Sequence, residues 1–178
     1  DATMALGSDL AALLARDRWP TVATAAAEAL GRHCCPQGNA VLRRAIRSRR
    51  DGLDSRALLS LVECHPSTLE AELLALASDP QTRPGLRARS LTLLDAGAAR
   101  RHVDELVGLL LAARREAIGE EGAVGVAVAG VAALALAGSA AAAEALTDAL
   151  ALDPHEPIRT AAAVALGRFC PPTAVDTV

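Results

Sequence analysis

Val22-Ala23-Thr24-Ala25-Ala26-Ala27-Glu28-Ala29-Leu30-Gly31-Arg32-His33-Cys34-Cys35-Pro36 returns 136 residues later as Ile158-Arg159-Thr160-Ala161-Ala162-Ala163-Val164-Ala165-Leu166-Gly167-Arg168-Phe169-Cys170-Pro171-Pro172. Ten of the fifteen positions are identical without a gap. The alanine run matches cheaply in a chain with 42 Ala, but the Gly-Arg-x-Cys-x-Pro tail does not. Self-similarity at long offset is the signature of stacked supersecondary units. Weaker copies fill the interval. Pro84 to Arg87 leads to Leu93-Leu94 and Gly97; Val128 leads to Ala135-Leu136 and Gly138; Leu58 and Leu61 precede Cys64-His65-Pro66; Ala5-Leu6-Gly7 echoes Ala29-Leu30-Gly31. The anchoring leucines are Leu6, Leu30, Leu61, Leu94, Leu136 and Leu166, spaced 24, 31, 33, 42 and 30 residues apart. The longest spacing contains an extra loop, Arg114 to Gly122.

Each unit reads as two helices. Helix A starts after a proline and ends at a glycine, the expected asymmetry of helix punctuation. The B helices are expected at about 8–15, 38–49, 67–78, 98–115 and 139–152, with residues 1–7 as the tail of a helix A and 158–170 as the last helix A. In the fourth B helix, Val103, Leu106, Val107, Leu110 and Leu111 form one apolar stripe. Asp79-Pro80 and Asp153-Pro154 stop the preceding helix, because proline cannot extend it.

Asp153-Pro154-x-x-Pro157-Ile158-Arg159-x-x-Ala162-x-x-Ala165-Leu166-Gly167, echoed from Asp79-Pro80 through Leu86-Arg87 to Leu94, resembles HEAT-type helical repeats of the short bacterial, PBS-lyase type. The resemblance covers essentially the whole chain. It departs from the pattern where Ala23 and Ala129 replace the arginine of Arg87 and Arg159. It implies an all-α fold, a right-handed α-α superhelix (HEAT-like solenoid) of about five helix pairs. Residues 1–178 are then one array, with approximate repeats 1–16 (partial), 20–50, 54–79, 84–115, 122–153 and 157–178 (partial). The chain begins at Asp1 rather than Met, and terminal repeats need polar outer faces that neither end has. A piece of a longer array, able to self-associate through uncapped ends, is the expectation.

Composition supports helices and narrows function. Hydrophobic residues make up 52% but aromatics only 1%, and Leu contributes 28 residues. So much apolar material argues against disorder, and so few β-branched and aromatic residues argue against an all-β fold. Trp19 and Phe169 are the only aromatics, too few for stacking on bases. All 18 basic residues are Arg, against 21 acidic residues, and the net charge of −3 disfavours a general nucleic-acid binder. Gly122 to Ala143 is uncharged over 22 residues, long enough to span a bilayer. Its weak Ala/Gly/Val hydrophobicity, the break at Gly138-Ser139 and the lack of flanking positive charge read instead as a buried helix pair, with no membrane association. Without a secretory signal, the expectation is a cytoplasmic protein with free thiols.

His33-Cys34-Cys35 with Cys64-His65 offers four zinc ligands. Yet Cys34-x-Pro36, Cys64-x-Pro66 and Cys170-x-Pro172 recur at one repeat position. Equivalent positions of stacked helices lie about 10 Å apart, so these cysteines read as small apolar filler, with neither a metal nor a disulfide. His155-Glu156 is one pair where HEAT-like iron hydroxylases use several, and the helix N-terminus accounts for the glutamate. HEAT-like DNA glycosylases look basic and use aromatics on a concave face, which Trp19 alone does not supply; Trp19, before Pro20, reads as a packing residue. Nothing points to a bilin lyase. No catalytic residue, metal or cofactor is expected.

The strongest functional pointer is basic: Arg43, Arg44, Arg47, Arg49, Arg50 and Arg56, six arginines in fourteen residues. The run lies on and just after one B helix, and Arg43, Arg47 and Arg50 share a face by i, i+4, i+7 geometry. Arg83, Arg87, Arg100 and Arg101 are candidate extensions. In HEAT-like solenoids, the resemblance implies, B helices line the concave surface. Guanidinium groups suit carboxylate and phosphate. The plain alternative is a solvated face balanced by Asp51 and Asp54. The expected function is a non-enzymatic protein-interaction scaffold or regulatory module. It would bind an acidic partner through Arg43, Arg44, Arg47, Arg50, Arg56 and Arg87. The alternatives are sequence-independent nucleic-acid binding by the same strip and, behind it, a HEAT-like lyase or hydroxylase.

Overall fold

The computed structural model describes residues 2–48, 50, 52–64 and 69–169, with side chains from residue 6 onward. Among the described residues there are eleven helices and no strand. They are α1 (Ala2–Arg16), α2 (Pro20–His33), α3 (Pro36–Ile46), α4 (Leu53–Cys64), α5 (Glu70–Ser78), α6 (Pro84–Thr92), α7 (Ala96–Arg101), α8 (Val103–Ala117), α9 (Glu121–Ala137), α10 (Ala140–Leu152) and α11 (Glu156–Gly167). The starts follow local chemistry. Proline fixes the first turn of α2, α3, α6 and α11, where its missing N–H costs nothing. Asp95 caps α7 by accepting from Ala98 N at 2.8 Å, and Ser139 caps α10 by accepting from Ala142 N at 3.1 Å. Gly138, at φ +63°, takes the left-handed turn that ends α9.

The chain divides into two compact units, Asp1–Ala71 and Glu72–Val178. The boundary falls in the first turn of α5, inside the stretch 54–79 expected as one repeat. In the first unit α1 packs beside α3 and α2 beside α4, while α1 meets α2 and α3 meets α4. Alternate helices thus lie side by side, around Leu14, Leu30, Leu42, Leu53, Leu58 and Leu61, all essentially without exposure. The closest approach is at Gly31 of α2. A Cβ there would stand 2.7 Å from Ser60 Cβ and 2.9 Å from Ser60 Cα, so α2 and α4 cross nearly backbone to backbone.

In the second unit α9 is central, against α6, α7, α8, α10 and α11. This explains its lack of charge after Glu121: Val126, Ala127, Val131 and Leu134 have neighbours on opposite sides of one helix. No helix of the described residues is long and apolar enough to cross a membrane, and the uncharged stretch splits at Gly138 into α9 and the start of α10 as expected. Here α9 adjoins both α6 and α11, and α8 adjoins α10.

Several boundaries differ from the sequence reading. Residues 2–16 are one helix, not the end of one and the start of another. Gly7 is inside that helix, where a Cβ would come within 3.0 Å of Cys35 Sγ; close packing, not chain reversal, is its role. The expected helix 98–115 is broken at His102, whose backbone (φ −113°, ψ 27°) separates α7 from α8. The B helix expected to reach residue 49 stops at Ile46.

The cysteines require the largest correction. Cys34 and Cys64 form a disulfide, with their Cα atoms 5.1 Å apart rather than a helix-packing distance. The small residues at the Gly31–Ser60 crossing draw the two helices together, and each cysteine lies one turn further along its helix. Cys34 takes a left-handed conformation (φ +48°) that ends α2, and both sulfurs sit against the Gly31 carbonyl oxygen. Free thiols are therefore overturned for this pair, and with them the thiol argument for a cytoplasmic setting. Cys35 is free and half-buried beside Gly7 and Gly38, in the filler role that was expected of Cys34, Cys64 and Cys170 rather than of this residue. Cys170 and His65 lie outside the described residues, and among the described residues no group of three candidate ligands could hold a metal ion.

Candidate functional site

The basic run is resolved into two classes of arginine. Arg43, Arg44 and Arg47 lie on the exposed side of α3 and at its C-cap, while Leu42, Ala45 and Ile46 face inward. Arg50 and Arg56 do not share that exposed side. Arg50 was expected on the helix face with Arg43 and Arg47. Because α3 ends at Ile46, it instead reaches back to donate to the carbonyl oxygens of Leu14 (3.4 Å) and Asp17 (3.0 Å) at the end of α1. Arg56 is half-buried on a different helix, α4. Arg49 lies outside the described residues.

Arg87 also leaves the proposed surface. Its side chain is only 4% exposed; Nε donates to Ala77 O at 2.9 Å and Nη1 to Glu116 Oε2 at 2.6 Å. Arg159 repeats the device, donating from Nη1 to Asp153 O and Pro154 O, both at 2.9 Å. Arg50, Arg87 and Arg159 thus each satisfy carbonyls left open where a preceding helix ends, the site where a cation is favoured. The Asp-Pro…Arg recurrence in the sequence has this structural meaning.

A second buried charge lies at the other half of that motif. Asp153, its side chain 1% exposed, accepts from Arg114 Nε at 2.6 Å and from the His155 backbone N–H at 2.9 Å, with His155 Nδ1 at 3.2 Å. Burial by itself raises this carboxyl's pKa. The His155 N–H, the Arg114 guanidinium and the His155 ring outweigh it and hold the group below its ordinary 3.8. A carboxylate depressed in the folded state stabilises fully above its unfolded pKa and ceases to do so as pH falls through the folded value. Denaturant titrations should therefore show wild type well above Asp153→Asn at pH 7, with the gap closing below about pH 4. A gap of constant size from pH 7 to pH 3 would refute this assignment. His155 is thereby occupied in a structural cluster, and Glu156 opens α11 where the helix dipole favours it.

A cleft of about 110 Å³ opens beside the exposed arginines of the first unit. Its floor is apolar, from Leu14 and Ala15 of α1, Val41 and Ala45 of α3, and Leu53 of α4. Arg44 and Arg50 stand on its rim with Ser48, whose hydroxyl donates to Ala45 O. Since Arg50 is held by α1, Arg44 is the rim cation that α3 presents outward, with Arg43 and Arg47 on the same exposed side. The arrangement can accept a small apolar group while forked donors meet carboxylates around it.

Trp19 is not the packing residue the sequence suggested. It is 57% exposed, with the Arg18 guanidinium carbon 5.0 Å from the ring centroid and its backbone N–H donating to Asp17 Oδ1. No protein-family model matches this chain, and no curated protein is significantly similar to it.

Proposed function

We propose that the chain is a non-enzymatic interaction module built from HEAT-like helix pairs stacked as a solenoid, and that it binds an acidic protein segment on the α3 face. One observation carries this reading: Arg43, Arg44 and Arg47 are exposed together beside an apolar cleft sized for one aliphatic side chain. Charge supplies encounter and register, and the apolar anchor supplies the desolvated contact that charge alone lacks. The binding set is narrower than the sequence suggested, with Arg50 and Arg87 acting as structural ties.

Phosphate would also suit exposed guanidinium groups, and salt separates the two readings. Fluorescence anisotropy should detect a labelled peptide of acidic residues around a central leucine, with weaker binding when the leucine becomes serine. A 20-base-pair duplex should bind less well and lose affinity steeply between 50 and 200 mM salt. Tighter binding of the duplex at 150 mM salt would overturn the protein-partner reading in favour of nucleic acid.

A further inference from the structure

The apolar stripe of α8 does not end in the core. Leu106 and Leu110 are buried, but Val107 is half-buried and Leu111 is 41% exposed, so the stripe spills onto the surface. There it meets α10. One shallow depression, of about 440 Å³, is lined by Asp104, Val107, Leu111, Ala141, Glu144, Ala145 and Asp148. Another, of about 380 Å³, adjoins it through Leu111 and is lined by later residues of both helices, including Ile118, Leu152 and Arg115. The two helices therefore run in the same direction along one groove, about 20 Å long at 1.5 Å per residue.

The groove is polarised. At its far end Ile118 is 75% exposed and Leu152 73%, the two most exposed large aliphatic side chains of the described residues. Its near end is acidic: Asp104, Glu144 and Asp148 are all exposed, and no basic side chain lines that depression. Arg115, exposed beside Ile118, makes the far end unfavourable for a cation. Exposed aliphatics clustered at one end of a groove mark an interaction site more than single scattered ones do.

We propose that this groove of the second unit docks an amphipathic helix of a partner protein, with basic residues at one end and aliphatic residues at the other. The basic end lies over Asp104, Glu144 and Asp148, and the aliphatic end over Leu111, Ile118 and Leu152. Helix-in-groove recognition of this kind uses anchors at i, i+3 or i+4, and i+7, which suits a groove between two parallel helices. The partner's last turn belongs over the near end, because basic residues favour a helix C-terminus and the N-termini of α8 and α10 point there. This surface is opposite in charge to the α3 face and does not depend on it.

The test uses the full chain and a labelled 16-residue helical peptide with leucines in one stripe and three lysines in its last two turns. A control peptide keeps the composition and disperses the leucines. Glu144→Lys/Asp148→Lys and Ile118→Ser/Leu152→Ser change exposed side chains only, and each should weaken the peptide about tenfold, close to 1.4 kcal/mol. Glu120→Lys/Glu121→Lys, outside the groove lining, should change it less than twofold. Equal binding of the control peptide, an equal effect of the Glu120/Glu121 pair, or no effect of either groove pair would overturn the proposal. Sedimentation of the chain alone supplies a further decision. A dimer that Ile118→Ser/Leu152→Ser dissociates would make a second copy the occupant and overturn it equally.

Discussion

Reducing the Cys34–Cys64 disulfide should lower the melting temperature of this protein by about 10 °C. The link closes a loop with a sequence separation of 30. In the chain-entropy account, a loop of this length restricts the unfolded ensemble by about 3.5 kcal/mol at 25 °C. A chain of this size shifts by about 2–4 °C per kcal/mol. The folded state should survive reduction, because both sulfurs already lie against the Gly31 carbonyl oxygen and a thiol can donate to it. Thermal melts with and without reductant, and of Cys34→Ser/Cys64→Ser in oxidising buffer, measure the effect. The double variant should melt like the reduced wild type and be indifferent to reductant. A reductant effect that persists in the double variant would place the sensitivity elsewhere.

Gly31→Val should destabilise the first unit by about 3 kcal/mol or more, at the upper end of overpacking costs. The obstacle is backbone: the new Cβ would meet Ser60 Cα and Cβ inside 3.0 Å, and neither can swing aside as a side-chain tip would. Helices α2 and α4 must separate, and Leu30, Leu58 and Leu61 then lose packing together. Gly108→Ala, in the middle of α8 with open space around it, is the matched control. It should stabilise by about 0.5–1 kcal/mol through helix propensity. Denaturant melts of the two variants should move in opposite directions. A Gly31→Val protein as stable as wild type would mean that α2 and α4 do not cross at this point.

These two effects also mark what sequence alone could and could not convey. Alternating helices were legible because Pro20, Pro36, Pro84 and Pro157 start them and Gly138 ends one, and these residues act through local backbone chemistry. The burial of α9 followed from its uncharged run. The His102 break was not legible, because no Pro or Gly stands at it. The disulfide was hidden for a related reason. A generic helix spacing put the two cysteines about 10 Å apart, whereas the pairing depends on Gly31 facing Ser60, a tertiary coincidence of two small residues. The arginines were found as a group but not sorted. Whether a guanidinium faces solvent or a carbonyl depends on where the helix stops, and α3 stops three residues before the expected 49, leaving Arg50 free to turn back to α1. The α8/α10 groove needed two helices distant in sequence to lie side by side before Leu111, Ile118 and Leu152 could be read as one surface.

Charge reversal on the α3 face is the most direct test of acidic-peptide binding there. Circular dichroism first establishes that Arg43→Glu/Arg44→Glu/Arg47→Glu folds as wild type does, as expected for three exposed side chains. The leucine-centred acidic peptide is then titrated into both proteins at 150 mM salt. The expected result is saturable binding to the wild type and at least about a tenfold loss in the triple variant. Equal binding to both, or none to either, would contradict it and leave Arg43, Arg44 and Arg47 as a solvated helix face.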